Sequence, residues 1–196
     1  MTSSMPSTQT EQQSREGRSI PLIPPIKPVL GEQDKCQTYR DGLIALCEAQ
    51  RPEFFLTMRF PENLDISISA AHHKLDLFYA AIDRKLSGRH WHELPPEQLT
   101  RLIAIPEGRR ISHNSEIFEG LHYHVLLSPP PQPHRPANED ALRALATEKW
   151  LKWSGCRDIH VRPIRSVHKA AAYACKKVTD PMSAGRSFVI HPSGVL

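Results

Sequence analysis

Leu121-His122-Tyr123-His124-Val125-Leu126-Leu127 is an apolar run interrupted by two histidines, and Pro129-Pro130-Pro131 follows it. Proline offers no amide to a ladder, so the run reads as a β-strand that stops at the prolines. Residues two apart on a strand project from one face. His122 and His124 therefore stand side by side, while Tyr123 and Val125 point the opposite way, into a core.

The segments on either side of this strand define the fold class. Over Glu53 to Phe60, Phe54, Leu56, Met58 and Phe60 alternate with Phe55, Thr57 and Arg59, the pattern of a half-buried strand. Ala70 to Leu86 places Ala71, Leu75, Phe78, Ile82 and Leu86 at helical spacing, with Ser87-Gly88 as a stop. Leu102 to Pro106 is a short apolar run consistent with another strand. After the histidine strand, Asn138 to Trp153 carries the apolar stripe Leu142, Leu145, Ala146, Trp150 and Trp153 before Gly155, which predicts a helix. Asp158 to Ile164 alternates again. Ser166 to Lys177 is alanine-rich, with Ser166 as N-cap and Pro181 beyond its end, which predicts a last helix. The order strand, helix, strand, strand, helix, strand, helix fits an α+β fold. We expect an antiparallel sheet with helices on its faces, ferredoxin-like or RRM-like, rather than a parallel Rossmann sheet.

The chain of 196 residues has room for one ordinary domain and a tail. Residues 1–32 are Ser/Thr/Gln-rich and then proline-rich, which predicts a disordered tail. The domain spans residues 33–180, with a leading helix over 33–50 that carries Leu43, Ile44 and Cys47 on its apolar side, and 181–196 form a C-terminal extension. No apolar stretch approaches the roughly 20 residues of a membrane span, and Met1 to Ser14 lack the apolar core of a signal peptide. A cytoplasmic protein is expected. Cys36, Cys47, Cys156 and Cys175 form no C-x-x-C pair and read as free thiols.

The net charge of +4 is unevenly placed. Residues 1–100 hold 11 Lys/Arg against 13 Asp/Glu, and residues 101–196 hold 14 against 8. A polyanion would meet the second half. Thr57 and Arg59 on the first strand and His160 and Arg162 on the last lie in the outward sets, and Arg165 and Lys169 extend the basic run. If register brings these sets together they surround the histidines with positive charge and bind phosphate in a salt-dependent way. Trp150 or Trp153 could add stacking, although their helical spacing places them more naturally in a core.

Imidazole suits divalent transition ions when a carboxylate completes the set, so His122 and His124 form a partial metal site. His90-Trp91-His92 repeats the spacing but lies between Ser87-Gly88 and Pro95-Pro96, a loop without alternation to align its rings. His72 and His73 are adjacent on a helix and diverge. Tyr173 shares its helix with Lys169, Lys176 and Lys177 at i−4, i+3 and i+4. A free tyrosine with a pKa of about 10 is almost wholly protonated at neutral pH, and nearby cations are what would make it a nucleophile.

Phe54-Phe55-Leu56-Thr57 at a strand, His122-Tyr123-His124 on a central strand and Tyr173-x-x-Lys176 on a later helix together resemble the three motifs of the HUH endonucleases, nearest to the single-tyrosine rolling-circle replication initiators. The resemblance covers roughly Glu53 to Asp180. It implies Mn²⁺ or Mg²⁺ bound by His122 and His124, Tyr173 as nucleophile on single-stranded DNA at an origin or hairpin, and a 5′-phosphotyrosine product with a free 3′-hydroxyl. Lys176, with Lys177 as substitute, would stabilise charge at phosphate or phenolate. The family's third ligand, often a glutamate on the preceding strand, would be Glu107 or Glu116, and hairpin geometry favours Glu107. Glu119, next to Gly120, reads as a turn residue. The chain departs from the pattern in having Tyr123 between the histidines and a long segment from Glu107 to His122. No G-x-x-x-x-G-K-[ST] occurs, so unwinding would fall to a host helicase or to supercoiling. A mobilisation relaxase or single-strand transposase shares the chemistry. A noncatalytic RRM-like binder would use the same sheet without metal or covalency.

Overall fold

A computed structural model describes residues 32–111, 117–178 and 188–192. The histidine strand is β4 (Ile117–Ser128), at the centre of the sheet. It pairs antiparallel with β1 (Phe54–Arg59) on one side and β3 (Arg101–Arg110) on the other. Outside these lie β5 (Ile159–Pro163) against β1 and β6 (Val189–His191) against β3, giving the order β5-β1-β4-β3-β6. The two-residue β2 (Ile66–Ser67) pairs with the start of β4. With the helices α1 (Glu32–Ala49), α2 (Ile68–Ser87), α3 (Glu139–Ser154) and α4 (Val167–Ala174), this is an α+β fold on a six-stranded antiparallel sheet. Setting β2 and β6 aside, the strands lie in the interleaved order of a split βαβ pair.

Directly opposed residues of antiparallel strands share a face. One face therefore gathers Leu56, Met58, Ala104, Tyr123, Val125 and Val161, all buried. Helices α2 and α3 cover it with Leu75, Phe78 and Ile82, and with Leu142, Ala146 and Trp150. Both helices begin on side-chain caps that satisfy a free amide: Ala70 N–H donates to Ser67 Oγ and Ala141 N–H to Asn138 Oδ1. Gly155, at φ +78°, ends α3 in the left-handed conformation that glycine adopts without strain.

The second face is covered only in part. Ile103, Ile105 and Leu126 pack under α1 and α4 with Leu43, Ile44, Cys47, Ala171, Ala174 and Cys175. Tyr173 of α4 reaches His124, which is buried, while His122 stays partly exposed.

Three expectations need correction. Helix α4 ends at Ala174, not Lys177, because the Lys176 and Val178 amides close tight i→i+3 turns on Tyr173 and Cys175. The strand expected over 102–106 continues through Pro106 to Arg110. Among the described residues β6 pairs with Leu102, Ile103 and Ala104 and stops before Pro106, so no described residue of that strand needs an amide there. Glu119 lies within β4 rather than a turn, paired with Arg109 of β3. Trp150 is a core residue whose indole donates to the Arg59 carbonyl at 2.7 Å. His90-Trp91-His92 falls in a short 3₁₀ turn, as a loop reading requires. Of the C-terminal extension, 189–191 form β6, with His191 stacked on Tyr79 at 4.2 Å and bonded to Asp76. The tail expected over 1–32 lies outside the described residues, apart from Glu32, which opens α1.

Asp83, fully buried on α2, accepts from the Thr100 amide at 3.0 Å and the Thr100 hydroxyl at 2.5 Å, anchoring the entry to β3. Burial pushes its pKa above the carboxylate range, against the pull of these bonds. The protonated fold is thus favoured, and this contribution to stability is lost as pH rises through the raised pKa. Denaturant unfolding should show Asp83→Ala costing about 1–3 kcal/mol by stranding both Thr100 donors. Asp83→Asn, which keeps an acceptor without the charge, should cost less, and the difference should narrow as pH rises.

Candidate metal centre and nucleophile

Sheet register builds this site. Glu107 of β3 and Arg59 of β1 both oppose His122, while Thr57 opposes His124. The ladder between β3 and β4 shifts between Glu107 and Arg109, a bulge that brings Gly108 against Leu121. A Cβ on Gly108 would lie 3.1 Å from the Leu121 Cα. Across the bulge Gly120 takes φ +63°, and its carbonyl meets His122 Nδ1 at 3.1 Å. A donor Nδ1–H there leaves His122 Nε2 with its lone pair facing the carboxylate.

His124 Nε2 lies 2.8 Å from Glu107 Oε2, and His122 Nε2 lies 3.7 Å from the same oxygen. The three groups offer ligand atoms within 4.8 Å of one another and can hold a metal ion. Burial pushes the His124 pKa below its ordinary value despite the Glu107 contact, so the ring is neutral imidazole at pH 7, the form that ligates. Among the described residues His124 Nδ1 is buried without a hydrogen-bond partner, unlike His122 Nδ1, which has the Gly120 carbonyl. The donor set, two imidazoles and a carboxylate converging on one point, fits a divalent ion.

Glu107 is where the charges meet. Lys176 Nζ reaches its Oε2 at 3.0 Å and Lys177 Nζ its Oε1 at 3.5 Å. Burial alone would raise this carboxyl, but hydrogen bonds from Lys176 and His124 and the charges of Lys176 and His122 hold it at about 2. Lys176 Nζ also sits 3.9 Å over the Tyr173 ring. Tyr173 is half exposed, edge-on to His124 at 5.2 Å and to Phe55 at 5.9 Å. Phe55 in turn lies 5.4 Å from His124, so the tyrosine rests on a histidine and a phenylalanine of the sheet.

A groove of about 670 Å³ runs past this cluster. Arg59, His160 and Arg162, from the outward sets of their strands, line it together with Arg165 and Lys169. Asp158, of the same parity as His160 and Arg162, pairs with Arg59 at 3.4 Å and with His160 at 3.1 Å and offsets part of the charge. Sequence reasoning missed Phe55 as a wall of the site and Gly120 as a histidine partner. An aromatic in the outward set of a strand signals the first, and a glycine two residues before a histidine signals the second only weakly. Neither Trp150 nor Trp153 lines this groove. Glu116 lies outside the described residues. Comparison with protein-family models, with curated proteins and with solved structures returns no match.

An ion held by these three side chains stabilises the folded state. At about 100 times its dissociation constant the gain is about 2.7 kcal/mol, read as a shift in the denaturant midpoint. The shift should vanish in His124→Ala and in Glu107→Ala and persist in the His90→Ala, His92→Ala double variant. An undiminished shift in His124→Ala would refute the ligand set.

Proposed function

We propose that the chain is a metal-dependent, site-specific single-stranded DNA endonuclease and ligase, acting at an origin or hairpin to begin rolling-circle replication of a plasmid, phage or integrated element. The observation that carries this reading is the edge-on contact of Tyr173 with His124, with Lys176 over the tyrosine ring, beside the carboxylate and second imidazole of a three-ligand cluster. The resemblance of the Phe-Leu-Thr, His-x-His and Tyr-x-x-Lys motifs supports it.

Mn²⁺ or Mg²⁺ at Glu107, His122 and His124 would polarise a non-bridging oxygen of the scissile phosphate, and the imidazole donors favour Mn²⁺ of the two. The chain's own residues supply the rest. Arg162, Arg165 and Lys169 hold phosphates along the groove, positioning the strand over the sheet. Tyr173 Oη attacks phosphorus as the phenolic proton passes to water, to which the half-exposed ring is open, and the Lys176 ammonium over the ring stabilises negative charge on the oxygen. The bond to the 3′-oxygen breaks, that oxygen takes up a proton from water, and the 5′-phosphate stays on Tyr173. Attack by a 3′-hydroxyl on the phosphotyrosine reverses the step, which gives ligation.

The test is covalency. Candidate origin oligonucleotides with Mn²⁺ should yield an adduct that survives a denaturing gel, absent in Tyr173→Phe. Full-rate nicking by Tyr173→Phe would remove Tyr173 from its role, and metal-independent binding with no adduct across an origin panel would favour a noncatalytic sheet binder. Lys176→Ala should slow adduct formation by about 10²-fold. Lys177→Ala should have a smaller effect, because its ammonium is the more distant of the two from Glu107.

A further inference from the structure

A second groove, of about 570 Å³, lies on the α2/α3 layer, across the sheet from His122 and His124. Its lining combines two indoles, Trp91 and Trp153, with four cations, Arg84, Lys85, Lys149 and Lys152. Leu77, Ala80 and Ala81 of α2 complete the lining. No carboxylate is among the described lining residues. Glu148 pairs with Lys149 at 2.5 Å and lies within the field of Lys85 and Lys152 as well. Lys152 Nζ stands 4.9 Å from the Trp153 ring centre, so one ammonium is already placed over a π-face. Among the described residues the Trp153 indole N–H is buried without a hydrogen-bond partner. Nothing in the proposed cleavage chemistry uses any of these residues.

We propose that this groove is a second binding site for single-stranded nucleic acid, with phosphates on the four cations and a base against the indoles. Cations interleaved with aromatic rings that are only partly buried, as Trp91 and Trp153 are, suit sequence-tolerant single-strand binding, because phosphate supplies charge and every base supplies a flat face. An acidic peptide would satisfy the cations equally well. It would leave the two indoles without a planar partner, and three of the four cations are lysines, point charges rather than the bidentate forks that carboxylates favour. The inference does not depend on cleavage. It gives the DNA strand a second anchor on the side of the sheet away from Tyr173.

The chain reports on this groove by itself. Of its three tryptophans, Trp150 is buried in the core, and the other two line the groove. Full-length protein is titrated in EDTA with an oligothymidylate of about 12 nucleotides while tryptophan fluorescence is followed. Saturable quenching is expected, weakened about tenfold in the Lys149→Ala, Lys152→Ala double variant and weakened further by raising salt from about 50 to 200 mM. It should survive in the Arg162→Ala, Arg165→Ala double variant of the opposite groove. Absence of quenching, loss in the Arg162/Arg165 variant alone, or equal quenching by an abasic oligonucleotide would overturn the proposal. Tighter quenching by hexaglutamate than by the oligonucleotide would make the groove a peptide site and overturn it too. Because no metal is present, the outcome is separate from the Tyr173 adduct: either can fail without the other.

Discussion

The register of β4 is the constraint on which the site depends. Tyr123 and Val125 are fully buried under α2 and α3, and the alternate residues His122 and His124 are thereby turned to the other face. Because side chains alternate with period two, a slip of one residue would drive both imidazoles into an apolar core and expose Tyr123. The apolar face holds the register, and the register delivers the histidines. Antiparallel pairing on both sides then places Glu107, Thr57 and Arg59 on the histidine face with no further requirement.

Glu107 joins this sheet geometry to the chain that follows α4. Its carboxylate meets His124, Lys176 and Lys177, with His122 just beyond. A partly buried anion with no partners would be unfavourable, and here the partners come from two separate segments, β4 and the turn after α4. The tight turns after Ala174 hold the backbone from which Lys176 and Lys177 meet Glu107. Tyr173, in the last turn of the helix, is carried over His124. Cys47 and Cys175 pack α1 against the same turn from below, so the apolar core and the ion cluster hold one short segment from two sides.

Much of this was legible in local pattern. Alternation over Glu53 to Phe60 and over Leu121 to Leu127 separated inward from outward residues correctly, and outward parity singled out Arg59, His160 and Arg162 as groove residues before any register was known. The helical stripe of Trp150 indicated a core position, and Trp150 is buried. The failures share a cause. The apolar run that marks β3 covers only Leu102 to Pro106, whereas pairing with β4 carries the strand to Arg110. Alanine and lysine favour helix through Lys177, whereas α4 ends at Ala174 and Lys176 meets a carboxylate 69 positions earlier in the chain. Parity places Asp158 and Phe55 in outward sets, but the charge or ring that each one meets lies on another element.

The sequence by itself determined the α+β class, the side on which each strand residue stands, the pairing of His122 with His124, and the setting of His90 and His92 outside any regular strand. These follow from periods of two and 3.6 and from turn residues, which act over a few positions. The tertiary structure alone decided that Glu107 opposes His122, that Lys176 leaves its helix to meet that carboxylate, that Tyr173 rests on His124 and Phe55, and that two tryptophans share a basic groove on the opposite layer. Each of those is a contact between residues far apart in the chain, set by strand register and helix packing, and no local pattern encodes the distance between them.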